Sequence, residues 1–490
     1  MGTASTQPRK LLDGLELDAR DKRPLYVQLA DELAAGIERG ELVEGERLPA
    51  MRDLAARLGV ALVTVSQAYD SLVARGRAVA RVGKGTYVTA VRAPSTPLGR
   101  RWEPDIGGFS RARMESVNER LARAVIPGTI SLATGHPAPE TFPLVEFGKC
   151  LQRTLADDPP EMMQYASGNG DPDLRAALAR SLAARGVPAS ADDIVVCSGA
   201  QQAADIVATT LLESRAVVAA ESPSYAPALG VFDARGATYV EIAADSGGIR
   251  VDDVERVFVE YRPKLFYVNP FAQNPTGAVL PERRAKAIVE LARRYDVVVL
   301  EDQTGWVFTY DGEPPAPLAA HDTDGRVILI ESLSKSVFPA LRIGYVYARG
   351  GLRGPLESAK MRADSFTSTL TQRALWRFMT SPGYARHLRS ARNLYRSRRD
   401  EFVAVLHAAL PWAGVVPPAA GTTLWLPLPS RLSTQAAFEA CAREGVLTMP
   451  ADPWYPTRSG PAALRLGFGD LSSDAMHEAV RRLARALGTR

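Results

Sequence analysis

Strand-like and helix-like segments alternate from Ile194 to Tyr347, and this alternation limits the fold more than any other feature of the chain. Val195-Val196-Cys197 reads as the end of a β-branched strand, followed by the small-residue turn Ser198-Gly199-Ala200 and an apolar helix. Leu265-Phe266-Tyr267-Val268 and Val297-Val298-Val299-Leu300 are short, unbroken apolar runs, as expected of strands covered on both faces. Repetition of strand, helix, strand implies an α/β domain with a mostly parallel sheet and a ligand at the carboxyl ends of the strands.

The chemistry-bearing residues sit at those strand ends. Ser332-Leu333-Ser334-Lys335 places a lysine among hydroxyls, with Arg342 shortly after. A lysine amine can form a Schiff base with an aldehyde, hydroxyls can donate to a phosphate, and a guanidinium can clamp that phosphate with two parallel hydrogen bonds. Pyridoxal phosphate needs this set. Backbone N–H groups at the helix start after Gly199 suit a phosphate as well. The tight turn Gln273-Asn274-Pro275-Thr276-Gly277 leaves Asn274 free to donate to a ring oxygen, and Glu301-Asp302 closes a buried strand on a carboxylate that can hold a pyridine nitrogen protonated.

With Asn274, Asp302, Lys335 and Arg342 in this order, residues 127–487 resemble the fold type I aminotransferases. The resemblance implies a large parallel-sheet domain over 127–375 and a small C-terminal domain over 376–490. It implies Lys335 as the internal aldimine, Asp302 at the pyridine nitrogen and Asn274 at the ring hydroxyl oxygen, with Gly199, Ala200, Gln201, Ser332, Ser334 and Arg342 around the phosphate. It also implies Tyr225 stacked on the ring and Arg465 on a substrate carboxylate. Tyr165 would reach across a homodimer to the other subunit's phosphate.

The N-terminal part follows a different pattern. Pro24 to Ile37 has amphipathic helical spacing, and Met51 to Leu58, Gly59, then Leu62 to Arg75 reads as helix, glycine turn, helix. Val79 to Val88, with Gly83-Lys84-Gly85 at its tip, reads as a two-stranded wing. Residues 22–90 resemble the winged helix-turn-helix of GntR-type regulators, carried by Leu48-Pro49, Arg52, Leu54-Ala55, Leu58-Gly59-Val60, Thr64-Val65, Ala68-Tyr69 and Gly83-Lys84-Gly85-Thr86. Arg52, Thr64, Arg81 and Lys84 are the DNA-contact candidates that this resemblance implies. Proline and glycine punctuate residues 91–126, which read as a linker with a helical piece from Arg111 to Ala124. As a whole the chain resembles the MocR class of regulators, in which the cofactor domain senses a small molecule and the winged domain binds DNA.

Two departures from that class stand out. Its second helix usually opens with a hydroxyl and an arginine, whereas this chain has Ala61 and Leu62, with Gln67 where another basic residue is usual. Residues 21–92 carry eleven basic side chains against nine acidic ones, a net of two positive charges, which is little for a duplex binder. The class also places a tyrosine two residues after the aspartate, where Thr304 stands here; Gln303, Thr304 or a water would have to replace its donor to the ring oxygen. Two readings therefore remain open. One is a pyridoxal-phosphate-dependent regulator sensing an amino-acid-like compound through an aldimine at Lys335; the other is an aminotransferase-like enzyme carrying a degenerate winged domain.

Composition fits either reading. The chain has 490 residues, 46% hydrophobic and 23% charged, with a net charge of +4 that does not by itself argue for nucleic acid. Cys150, Cys197 and Cys441 are too few for a disulfide framework, so a reducing cytoplasm is expected, and the absence of a long apolar stretch argues against a membrane span. The five histidines, among them His136 and His387, lack metal-ligand spacing and read as solvated or capping groups, so no metal is expected. Arg389, Arg392, Arg396 and Arg399 share one side of a helix and read as an exposed face.

Overall fold

The computed structural model describes residues 17–18, 21, 23–39, 41–81, 85–89, 113, 115–245 and 247–488. The chain forms two compact units, 1–106 and 107–490. In the first, helices α1 (Leu25–Glu38), α2 (Met51–Leu58) and α3 (Leu62–Ala74) precede an antiparallel pair, β1 (Ala78–Arg81) and β2 (Gly85–Val88). Leu29, Leu33, Leu54, Val65, Ala68, Tyr69 and Leu72 form its core, which accounts for the apolar spacing of α1 and α3. Gly59 joins α2 to α3 at φ +64°, a left-handed backbone that a side chain would strain.

In the second unit, α4 (Glu115–Arg123) and β3 (Ile130–Ser131) lead into α5 (Leu144–Asp157), α6 (Pro172–Ala183) and the main sheet. Its strands are β4 (Ile194–Cys197), β5 (Val217–Glu221), β6 (Thr238–Ile242), β9 (Leu265–Val268), β10 (Val298–Asp302), β11 (Val327–Ser332) and β12 (Gly344–Tyr347); a short hairpin, β7 (Ala244–Asp245) and β8 (Gly248–Ile249), stands apart. The spatial order is β4-β12-β11-β10-β9-β5-β6, and β12 alone runs antiparallel to its neighbours. Alternate residues of these strands enter two different apolar clusters, one on each face: Val196, Phe266 and Leu329 on one, Val195, Tyr267 and Ile330 on the other. Helix α7 (Ala200–Leu211) follows β4 directly and brings its N-terminus to the carboxyl end of the sheet.

A smaller sheet of β13 (Thr423–Pro427), β15 (Met449–Pro450) and β16 (Ala463–Gly467) lies toward the C-terminus, and β14 (Val446–Leu447) pairs in parallel with β3. The described part of 91–126, read as a linker, packs on this unit. Residues 91–112 lie outside the described residues, but Arg113 and α4 belong to the second unit. Arg113 is buried, its guanidinium on Asp233 at 3.0 and 3.1 Å and on the carbonyls of Pro453, Tyr455 and Pro456 at 3.3, 2.7 and 3.0 Å. Val117 of α4 packs in one cluster with Leu447, Met449 and Trp454.

The arginine row on the helix Pro382–Ala409 also differs from expectation. Arg389 is exposed, whereas Arg399 is only 6% exposed, ion-paired with Asp311 and Asp400 and donating to the Pro418 carbonyl. Packing of the helix against Tyr310 puts that end of the row inside, with the guanidinium over the tyrosine ring. Among the described residues no helix is long and apolar enough to cross a membrane, and no group of three His, Cys, Asp or Glu could hold a metal ion.

Candidate functional site

The carboxyl ends of β9, β10 and β11 open into a cavity of about 350 Å³ lined by Tyr225, Asn274, Asp302, Thr304, Lys335 and Arg465. Lys335 is half-buried, and its Nζ donates to the Gly135 carbonyl at 3.1 Å. Burial, and then the nearby Arg465 guanidinium, pull its pKa down to about 8, with Asp470 opposing. About a fifth of this amine is therefore neutral at pH 7.4, against about a thousandth for a free lysine, as a nucleophile or proton acceptor requires.

Asp302 closes β10 and is buried, accepting from Tyr267 Oη at 3.0 Å and from the Thr304 N–H at 2.9 Å. Burial raises its pKa while those donors work against the rise, so a cation placed beside it would be strongly favoured. Asn269 organises the floor. Its N–H donates to Glu221 at 2.8 Å, its Nδ2 to the Asp302 carbonyl at 2.5 Å, and its Oδ1 accepts the Asn274 N–H at 2.7 Å. Glu221 itself is buried, and burial pushes its pKa up to about 8.

Arg465 on β16 is 7% exposed and meets no carboxylate among the described residues. Its Nε donates to Asn274 Oδ1 at 3.2 Å, its Nη1 to the Ala133 carbonyl at 3.2 Å, and its guanidinium lies 4.8 Å from the Trp454 ring centroid. Desolvation lowers its pKa to about 10. A buried guanidinium without a counter-ion, facing a cavity, is built to receive an anion.

The second anion-binding feature is at the start of α7. Gly199 has φ +88°, and a Cβ there would come within 3.0 Å of Arg342, whose Nη2 donates to the Ser198 carbonyl at 2.9 Å. The first N–H groups of α7, Ala200 onward, have no partners within the helix. Ser332 Oγ accepts the Ser334 N–H at 3.2 Å, while Ser334 Oγ is buried without a hydrogen bond. Gln201 turns its Nε2 to the Pro227 carbonyl at 3.1 Å.

Tyr165 is not brought to this cavity; it is 90% exposed, edge-on to Phe366 at 5.8 Å. Gln303 points away as well, accepting from Arg185 at 2.7 Å and donating to Glu301 at 2.5 Å, so it cannot stand in for the missing tyrosine. Thr304 faces the cavity instead. Period two at the strand end explains the split, since residues 301 and 303 share one face and 302 and 304 the other. His136, expected to be solvated or capping, lines the cavity with Thr134 and Gly135, and Trp454 stands between Tyr225 and Arg465. Of these, only the strand-end alternation carried a signal in the sequence.

In the first unit, Arg52 is exposed on α2 and Thr64 is half-buried in the first turn of α3. Arg81 lies over the Tyr87 ring at 5.1 Å, and Lys84 lies outside the described residues.

A family model described as aminotransferase class I and II matches residues 128–483, and one described as bacterial regulatory proteins, gntR family, matches residues 25–88. The chain is 31% identical to the aromatic-amino-acid aminotransferase 1 of Thermococcus litoralis, over 76% of this chain and 92% of that protein. It is 28% identical to the probable rhizopine catabolism regulatory protein MocR of Rhizobium meliloti, over 96% of this chain and 95% of that one. Among solved structures, the Pyrococcus horikoshii kynurenine aminotransferase in complex with PMP superimposes with a TM-score of 0.73 at 31% identity, covering 76% of this chain and 94% of that one.

Proposed function

The chain belongs to the class I and II aminotransferase family and carries a gntR-family regulatory unit ahead of it, and on that premise we propose that it is a transcriptional regulator of the MocR type that senses an amino compound at the Lys335 site. The observation that carries this reading is the joining of both families in one chain, with a regulatory relative matching across 96% of it.

Pyridoxal phosphate is the family's cofactor, and the donors present fit it. The buried Ser334 hydroxyl has no hydrogen bond of its own, and it belongs to the same set as Ser332, Arg342 and the start of α7 at Gly199, Ala200 and Gln201. These would hold the phosphate, with Lys335 at the aldehyde carbon, Asp302 at the pyridine nitrogen, Asn274 at the ring oxygen and Tyr225 against the ring. When bound, the cofactor supplies an aldehyde carbon that amines condense with and a ring that withdraws electrons. Arg465 would orient an α-carboxylate, and the Lys335 amine would be placed to take a proton from Cα.

The exposed Tyr165 fits a homodimer in which it completes the partner's phosphate site. The winged unit, 22–90, binds the operator in the cytoplasm, and the sensed compound changes occupancy to the extent that it binds two states of the protein unequally. The test is binding of the purified protein to its own upstream duplex over a salt series, against a scrambled duplex, with and without a panel of amino acids. Sequence preference that shifts with one of them is the expected result; affinity equal to that for the scrambled duplex would overturn the reading.

A second reading, an amino-acid-converting enzyme, is favoured by one observation. The chain retains Lys335 with a pKa near 8 beside Arg465, which is buried and without a carboxylate partner among the described residues, the pair that turnover needs. Release of more than one equivalent of 2-oxo acid per site, without DNA preference, would select it.

A further inference from the structure

Helix α3 lacks lysine and arginine along its whole length, Leu62–Ala74, so the commonest specific contact to guanine cannot come from it. In their place its first turn exposes two aliphatic side chains, Leu62 at 46% and Val63 at 60%. Gln67 is exposed one turn on and Ser66 is half-buried, at i+4 and i+3 spacings that put them on the side of Leu62 and Val63. The opposite side of the helix, Val65, Ala68, Tyr69 and Leu72, is consumed by the core of the unit. The first two turns of the exposed face therefore present apolar tips and one carboxamide, with the Asp70 carboxylate exposed one turn further on.

Charge says what kind of molecule covers that face. Leu62, Val63 and Ser66 line a hollow together with Arg47, Arg52 and a single carboxylate, Asp53, and neither arginine makes an ion pair among the described residues. Two guanidiniums without acidic partners, flanking the N-terminal half of a helix-turn-helix second helix, suit a phosphate backbone on either side of a groove. In the major groove, an aliphatic tip contacts only one base feature favourably, the thymine methyl group, and a glutamine carboxamide matches the adenine edge.

We propose, on the regulator reading above, that α3 reads A·T pairs, with Leu62 and Val63 packed on thymine methyl groups and Gln67 on adenine, while Arg47 and Arg52 hold phosphates. The departures at Leu62 and Gln67 are then a change of reading chemistry, toward thymine methyl groups at Leu62 and the adenine edge at Gln67.

The test selects duplexes from a random pool with the full-length holoprotein, then replaces thymine by deoxyuridine within the selected site. The expected site carries A·T pairs at its contacted positions. Each methyl removed weakens binding about fourfold, the worth of one buried CH₂ group. Leu62→Ala/Val63→Ala, both exposed and so harmless to the core, abolishes the difference between thymine and uracil while leaving residual binding. A selected site centred on G·C pairs, or one indifferent to uracil, overturns the proposal and leaves the regulator intact. So does a uracil effect that persists in the double variant, because the methyl groups would then act through DNA shape. A pool that yields no preferred sequence overturns the regulator reading and this one with it.

Discussion

In the cavity of the second unit the charged groups are buried and held by hydrogen bonds, Asp302 by Tyr267 and Thr304, Arg465 by Asn274 and Ala133, whereas the first unit leaves Arg47 and Arg52 at the surface beside exposed Leu62 and Val63. Burial moves pKa values, down to about 8 at Lys335 and up to about 8 at Glu221. Such groups gain reactivity because water cannot screen them, and their effects are strong and coupled. Exposed groups act singly and are screened by salt, so their effects are graded. The chain thus pairs a site where one atom decides the outcome with a surface where many small contacts add.

Lys335→Ala is the most severe way to probe that contrast. It should abolish cofactor retention through dialysis and any response to amino compounds, while affinity for DNA changes by less than about twofold, since no residue of the first unit is altered. Loss of DNA binding in the same variant would show that the first unit needs the filled cavity to bind DNA at all, and not only to respond to the sensed compound. Arg465→Ala comes next. Removing a buried charge-assisted pair costs about 1.5–3 kcal/mol, so the half-saturating concentration of an amino acid should rise about 10- to 150-fold, while an amine lacking the carboxylate is unaffected.

The pH dependence sharpens the cavity's side of the comparison. An ammonium has no lone pair, so cofactor capture by the apoprotein should fall about tenfold per pH unit below the Lys335 pKa of about 8 and level off above it. A rate still climbing at pH 10 would mean that the amine is more solvated than its surroundings indicate. The smallest effect belongs to the first unit. Tyr69 donates to the Pro49 carbonyl at 2.9 Å, and Tyr69→Phe should cost about 1 kcal/mol of that unit's stability, seen in thermal unfolding with the bound cofactor's absorbance unchanged.

Much of the cavity was legible because its chemistry is local. Asn274, Asp302 and Lys335 follow strands whose apolar runs end in the sequence itself, and Arg465 lies in a recognisable strand. What could not be read came from segments without distinctive side chains that only folding assembles. Thr134, Gly135 and His136 arrive on the loop after β3, Ala420 to Thr422 precede β13, and Trp454 sits on a short turn beyond β15. Arg399 was misjudged for the same reason, since helical spacing gives the face of a residue and not what packs on it. The direction of Gln303 was available from strand alternation, and a sheet covered on both faces from the apolar runs. The membership of α4 in the second unit was not, because Val117 packs on Leu447, Met449 and Trp454, more than three hundred positions along the chain.

Arg113 gives that last point a mechanical meaning. It is the first described residue of the second unit, and its guanidinium is bolted to Asp233 and to three carbonyls of the turn 453–456. The same turn holds Trp454 against Arg465. The first described residue of this unit and one wall of its cavity are therefore built on the same four residues, so a substitution at Arg113 reaches the Arg465 guanidinium through a single turn.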